Sequence, residues 1–331
     1  MLDLIKMAEQ WVRQNKQNMI GNHDYLTNLA IEHVQADILA AMQMSMLGSI
    51  TVFQGGTALR KIHGGGRFSE DLDFALSADR IAELSPEDVT KAVESFSSVL
   101  KARLPNKYGF DPSHLIVRPP DDPMAIVTRK DGRTRVSTWH ISVPISLDRR
   151  PVRNRKIKVE IASIPAHTVE IRNAASPSAR FMGLSHADLL VPTETLQEII
   201  ADKIVALVGR PHLKGRDLWD LAQFQTPDID ETVRLISLKI DDYQIGPPAE
   251  FMERLEGRMA EMRSEQNLQN FINEISRFSL EGAPTLQYAR SLAKTADEHV
   301  TRIYGELKHF FLEADIAARQ SAGMSAGFDD F

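Results

Sequence analysis

The chain has no cysteine in its 331 residues. Disulfide staples, cysteine nucleophiles and thiolate zinc sites are therefore excluded, and the composition fits a reducing compartment. A long apolar run is missing too. Ile38 to Leu59 carries no charged residue, but Gln43, Ser45, Gly48, Ser49, Gln54 and two more glycines make the stretch too polar and too broken to span a membrane. Met1 to Lys16 mixes charge through every turn and lacks the apolar centre of a secretory signal, so we expect a cytoplasmic chain with no membrane partner. No G-x-x-x-x-G-K-[ST] phosphate loop occurs, and there is no internal repeat. Excess positive charge is also absent. The formal net charge of -6 gives no global attraction to nucleic acid, so any such binding needs a local patch.

What is present is ordinary in bulk. A hydrophobic fraction of 43% and a charged fraction of 25% describe a soluble globular protein, and the length exceeds what one core usually serves. Ile31, Val34, Ile38 and Met42 recur at helical spacing, with Gly48 as the expected C-cap. Ser49 to Phe53 reads as a buried strand, Thr57 to His63 as a short helix, and "DLDFAL" as a second strand. Ser85-Pro86-Glu87-Asp88 starts a helix whose apolar face is Val89, Val93, Phe96 and Leu100. The period then changes to two. "WHISVPISL" and "KIKVEIASI" alternate as strands, and Arg129 to Arg135 reads as a hairpin turn. Leu196 to Val208 returns to helix. From Asp230 the pattern stays helical, apart from breaks near Gly246 to Pro248 and Gly282 to Pro284, until a polar tail that should fray. We expect an α+β mixed-sheet domain over residues 1–227 and an all-helical domain over 228–331.

One segment stands out: "FQGGTALRKIHGGGRFSEDLDFAL", Phe53 to Leu76. On a strand, positions i and i+2 share a face, so Asp71 and Asp73 present two carboxylates side by side. A divalent cation favours that arrangement, and magnesium commonly takes one or two protein carboxylates with phosphate oxygens. Gly55-Gly56, between strand and helix, lets backbone N–H groups approach an anion. Taken alone, the glycines read sooner as a tight turn and the aspartates as solvated residues. Their order, strand, turn, helix, strand, favours a nucleotide site. Glu160, facing away from Ile157, Val159 and Ile161, is a candidate third carboxylate for phosphoryl transfer, or else an exposed glutamate beside Lys158. Lys203 falls inside the apolar stripe of Leu196, Ile200 and Leu207, where it either meets an anion or snorkels at the stripe's edge. Asp217 and Asp220, three apart on one helix face, are placed to hold Lys203 or Arg216, or else merely charge the helix start favourably.

"GGTALRKIHGGGRFSEDLDF", a strand bearing a glutamate, "EIIADKIVAL" and "GRDLWDL", in that order, are similar to the AbiEii/AbiGii-type abortive-infection toxins, members of the DNA polymerase β-like nucleotidyltransferase superfamily. The resemblance covers about Ser49 to Leu221. It implies that Gly55, Gly56 and Thr57 hold a nucleoside triphosphate bordered by Arg67 and Ser69. It also implies that Asp71 and Asp73, with Glu160, bind Mg2+ or Mn2+, and that Lys203 and Asp217 are essential. It further implies nucleotide transfer to a hydroxyl acceptor such as transfer RNA, and pairing with a winged-helix antitoxin in a toxin-antitoxin or phage-defence system. Two other readings stay open: an aminoglycoside-type nucleotidyltransferase, and a non-catalytic nucleotide-binding protein. "RRPVRNRKIK", Arg149 to Lys158, reads either as a local basic patch that favours a nucleic-acid acceptor or as a solvated loop. A serine hydrolase reading from "HGGGR" and Gly323 to Gly327 fails, because Ser325 has no preceding strand and no histidine follows it.

Overall fold

The computed structural model describes residues 3–121, 126–128, 134–146, 155–174, 188–280 and 285–325. Helices α1 (Leu4–Asn15) and α2 (His23–Gln43) lead into strand β1 (Thr51–Gln54), helix α3 (Gly55–Ile62) and strand β2 (Leu72–Ser77). Helices α4 (Ala78–Ile81) and α5 (Pro86–Tyr108) follow, then strands β3 (Ile116–Arg118), β4 (Ile126–Thr128), β5 (Thr134–Val136), β6 (Thr138–Ile145), β7 (Arg155–Ala166), β8 (Glu170–Asn173) and β9 (Leu190–Thr193). The remainder is helical: α6 (Leu196–Gly209), α7 (Gly215–Gln223), α8 (Ile229–Asp242), α9 (Pro248–Met262), α10 (Glu265–Ile275) and α11 (Leu286–Ser325). The α+β architecture with a helical C-terminal region is as expected. Among the described residues no helix is long and apolar enough to cross a membrane.

Seven strands form one mixed sheet in the order β3-β6-β7-β2-β1-β9-β8, and β4 and β5 pair as a separate hairpin. The β2–β7 and β1–β9 pairings are parallel, the rest antiparallel. Alternation gives each face its character. Phe53, Leu72, Phe74, Trp139, Ile141, Val143, Ile157, Val159 and Ile161 point into a core closed by α2 and α5. Burying each such large side chain stabilises by about 1.5–3 kcal/mol. The opposite face carries the polar residues Gln54, Asp73, His140, Lys158 and Glu160. A second core, running from Ile200 to Leu307, packs α6 to α11 together.

Local signals held in several places. Ser85 caps α5 in a reciprocal box with Asp88, Pro86 opens the helix, and Gly109 ends it at φ 68°. The hairpin expected around Arg129 to Arg135 pairs β4 with β5, although 129–133 lie outside the described residues. So do 147–154 of the basic run and 326–331 of the tail.

Two boundaries differ. Helix α2 stops at Gln43 rather than at Gly48. Met44 caps it, the Ser45 hydroxyl donates to the Met42 carbonyl (2.8 Å), and a 3-10 turn over Met46–Ser49 carries the chain to β1. Gly48 serves packing instead, since a Cβ there would lie 2.5 Å from the Met42 carbonyl oxygen. Strand β2 begins at Leu72, so Asp71 precedes the ladder instead of sharing it with Asp73.

One buried cluster ties the helical region to the sheet. Lys239, on α8, is fully buried, with its ammonium 2.8 Å from Glu198, 3.2 Å from Asp202 and 3.4 Å from Glu194. It also donates to the carbonyl of Pro165 on β7 (3.3 Å). Glu198 in turn accepts from the backbone N–H groups of His167 (2.8 Å) and Thr168 (2.7 Å). Removing the lysine leaves three carboxylates facing one another in the dark. We expect Lys239→Met to lose about 3–5 kcal/mol of stability, measured by urea unfolding at neutral pH. A loss below about 1 kcal/mol would show that the cluster is not a fastening of the fold.

Candidate active site

Pairing register builds the first wall. Asp73 on β2 sits directly opposite Glu160 on the parallel neighbour β7, and opposite Gln54 on β1. Cross-strand partners share a face, so these side chains form a row. His140 on β6 extends it, with its Nδ1 3.3 Å from Glu160 Oε1. Burial foremost, then Glu160 and Asp71, push the Asp73 carboxyl up to about 7. The Asp71 carboxyl is also raised, chiefly by burial, against the pull of Lys158 and with Glu160 adding to it.

The opposite wall comes from α6 and the turn after it. A cavity of about 340 Å³ separates the two, lined by Gln54, Gly55, Gly56, Asp73 and Glu160 on one side and by Lys203 and Arg210 on the other. Tyr243 and Ile245, after α8, close it with mostly apolar neighbours. The Gln54 amide, with its nitrogen turned inward, donates to Glu194 (3.2 Å) and Asp202 (3.1 Å) of the Lys239 cluster.

The cations are held by a buried network. Lys203 Nζ lies 2.7 Å from Asp217 and 3.0 Å from Asp220. Asp217 also pairs with Arg210, and Asp220 receives a bidentate fork from Arg67 at 2.7 and 2.5 Å. Burial opposes the Lys203 charge, but Asp217 and Asp220 more than offset it and hold its pKa above the usual value. Burial would likewise raise Asp217, yet Lys203 and Arg210 keep it well below the usual carboxylate range. Three cations against two anions leave the network with a net positive charge beside the cavity. Of the two sequence options for Asp217 and Asp220, the structure selects Lys203; Arg216 turns to Glu274 instead (3.1 Å).

Glycine is required at the turn. Gly55 has φ +77°, and a Cβ there would lie 2.8 Å from Asp73 Oδ2; one on Gly56 would lie 2.6 Å from the Arg67 guanidinium. Thr57, Arg67 and Ser69, the resemblance's triphosphate neighbours, are not on the cavity lining. They are buried behind it: the Thr57 hydroxyl donates to the Asp71 carbonyl, and Arg67 also donates to the Phe68 carbonyl (3.0 Å). Gln35 holds the adjoining Ser69 and Glu70 carbonyls at 2.8 and 3.1 Å. Asp71 lies next to the acidic row but also off the cavity lining. Lys203, Asp73, Glu160, Gly55 and Gly56 do meet there, with Asp217 one contact behind.

Sequence reasoning missed Arg210 and Tyr243. Arg210 follows the end of α6 and has no periodic signal. Its only hint was the spacing to Asp217, one turn into the next helix.

Among the described residues no three His, Asp or Glu side chains converge into a ready-made metal cage. The donors still suit a hard cation. They are carboxylates on adjacent strands, at least one of them raised by the other's charge, with an open space at Gly55 where a side chain would intrude.

The fold has a counterpart among solved structures. MenT4, a nucleotidyltransferase toxin from Mycobacterium tuberculosis H37Rv, superposes with a TM-score of 0.56 at 20% identity, over 90% of this chain and 98% of that one. JHP933 from Helicobacter pylori aligns with a TM-score of 0.39 at 16% identity, over 87% of this chain and 96% of that one. No protein of curated function matches the sequence. The sequence profile described as "Nucleotidyl transferase AbiEii toxin, Type IV TA system" matches residues 37–298. With most of its length inside that match, the chain belongs to the AbiEii nucleotidyltransferase toxin family of type IV toxin-antitoxin systems.

Proposed function

We propose that this chain uses a nucleoside triphosphate and a divalent cation, Mg2+ or Mn2+, to transfer a nucleotide to a hydroxyl of transfer RNA in the cytoplasm. A cognate winged-helix antitoxin would counter it, as one half of a phage-defence pair. The observation that carries the reading is the confrontation across one cavity of Asp73 and Glu160 with Lys203 and Arg210, beside the Gly55-Gly56 turn.

The backbone N–H groups at the start of α3 and the cations Lys203 and Arg210 bind the β- and γ-phosphates. Asp71, Asp73 and Glu160 would hold the metal, which when bound neutralises phosphate charge and makes the acceptor hydroxyl more acidic. The acceptor oxygen bonds to the α-phosphorus, the bond to the bridging oxygen breaks, and pyrophosphate leaves with its electron pair. The hydroxyl proton passes to water. Lys203 stabilises the charge that gathers on the leaving group, and Asp217 and Asp220 fix where that ammonium points. Arg67 positions Asp220 and the Gly56 turn rather than touching phosphate.

Labelled triphosphates offered with bulk transfer RNA, or with an aminoglycoside, test the activity. We expect label on RNA with the wild-type chain, and a loss of about 100-fold or more with Asp73→Asn at unchanged circular dichroism. Equal labelling by the variant would remove Asp73 from the site, and labelling of the aminoglycoside alone would replace the acceptor.

Thermal melting supplies an independent check of the acidic row. Asp73 in the folded chain keeps its proton up to about pH 7, whereas the unfolded chain releases it near pH 4. Ionised Asp73 therefore costs nothing below pH 4, and the cost is complete above pH 7. With chelator present at pH 8, Asp73→Asn should be the more stable protein, by up to about 4 kcal/mol, and the difference should vanish near pH 4. Magnesium should raise the melting temperature of the wild type and leave that of the variant unmoved. A variant less stable than wild type at pH 8 in chelator would contradict the burial of Asp73 and its crowding by Glu160 and Asp71.

A further inference from the structure

Beyond Glu160 the polar row continues into a second cavity, of about 510 Å³. The two cavities share Val136, Thr138 and Glu160, so they meet at the Glu160 end of the first. The second is walled by Arg118 on β3, His140 and Ser142 on β6, and Lys158 on β7. Register explains why they assemble: Arg118 pairs with His140, His140 with Glu160, and Ser142 with Lys158. Arg118 and Lys158 are both exposed at its rim, and Lys156, two residues before Lys158 on the same strand face, is exposed as well. Among the described residues, Asp121 is the one acid on the lining besides Glu160.

In-line displacement sets where an acceptor must enter, and this step rests on the transfer reading above. The leaving pyrophosphate lies at the Gly55, Lys203 and Arg210 end. The attacking hydroxyl therefore approaches from the opposite side of the α-phosphorus, which is the Glu160 side. We infer that the second cavity is the acceptor site, and that Arg118 and Lys158, with Lys156 beyond them, grip phosphodiester groups of an RNA strand whose terminal hydroxyl is presented at Glu160. Two strand spacings, about 10 Å, separate Arg118 from Glu160 along the row. That is the scale of the distance from a terminal hydroxyl to a neighbouring phosphate. A polycationic acceptor such as an aminoglycoside would meet three cations at the entrance. Single-stranded RNA meets complementary charge and, at His140, a ring on which a base can stack.

The test separates this site from the nucleotide site by reading both in the same protein. Full-length wild type, Arg118→Ala and Arg118→Ala/Lys158→Ala are titrated with fluorescein-labelled bulk transfer RNA by anisotropy at several salt concentrations. Each is also titrated calorimetrically with a nucleoside triphosphate and magnesium, and unlabelled pyrophosphate is used as a competitor against the RNA. Melting curves confirm folding, and the single variant, far from Asp71, guards against a failure of the double one. We expect RNA affinity to fall about threefold for Arg118→Ala and about tenfold or more for the double variant. The salt slope should shrink by about one to two, triphosphate affinity should stay within about twofold, and pyrophosphate should fail to displace the RNA. RNA binding with an unchanged affinity and salt slope in the double variant overturns the inference. So does displacement by pyrophosphate, which would make the cavity a leaving-group site, or a parallel fall in triphosphate affinity. Wild type that binds RNA through Arg118 and Lys158 but takes up no triphosphate would leave the RNA site standing and sink the transfer reading instead.

Discussion

The parallel pairing of β2 with β7 is the constraint on which the rest depends. It sets Asp73 against Glu160 at strand spacing, where two carboxylates repel, and neither can turn away because Leu72, Phe74, Val159 and Ile161 lock their strands into the core below. A one-residue slip would send both acids into that core and bring the aliphatics to the surface, so the register cannot relax to relieve the repulsion. The acidic row is thus an unfavourable arrangement held by favourable burial elsewhere. Such stored electrostatic strain is what a polycation or a metal–phosphate ligand can release, and it adds to burial, the larger cause, in making the Asp73 carboxyl cling to its proton.

The facing wall solves the complementary problem. Lys203 must stay charged while buried against a cavity, and alone its ammonium would be driven toward neutrality or out into solvent; Arg210 beside it is partly exposed. Asp217 and Asp220 hold them, and Arg67 holds Asp220 from behind. Because the anions are shared among three cations, the wall keeps surplus positive charge beside the cavity. Arg67 also touches the space that Gly56 leaves empty, so the same guanidinium links the turn to the cationic network.

How much of this was legible depends on the kind of residue. Alternation in "KIKVEIASI" and "DLDFAL" is a strict period-two signal, and it correctly placed Glu160 and Asp73 on the polar face. It could not say that β2 begins one residue after Asp71, because strand ends are set by pairing partners, and β7 runs in from far along the chain. A lysine out of place in an apolar stripe announced Lys203, whose burial costs too much without a partner. The choice between Lys203 and Arg216 as the partner of Asp217 was invisible, since it turns on Glu274, fifty-seven residues away. Arg210 and Tyr243 belong to no period. They sit just past helix ends, where the backbone's exit direction decides what the side chain reaches. The resemblance placed Thr57, Arg67 and Ser69 beside the triphosphate, and the structure puts them in the support behind the turn.

The helical half is part of the site, not an attachment to it. Lys203, Asp217 and Asp220 stand on helices whose apolar faces fill the second core, and Arg210 follows the end of the helix that carries Lys203. The Gly-rich loop is clasped from the same side: Phe68 donates its N–H to the Phe278 carbonyl at 2.7 Å, Arg67 pairs with Ser279, and Asn28 reaches the Arg277 carbonyl at 3.1 Å. Lys239 anchors the far edge through Glu194, Glu198 and Asp202, and Gln54 joins that cluster at the lip of the cavity. Acids from the sheet and cations from the helices therefore face each other only as long as both cores stay pressed together. The spacing between the carboxylates and Lys203 is therefore a property of the interface between the sheet core and the helical core.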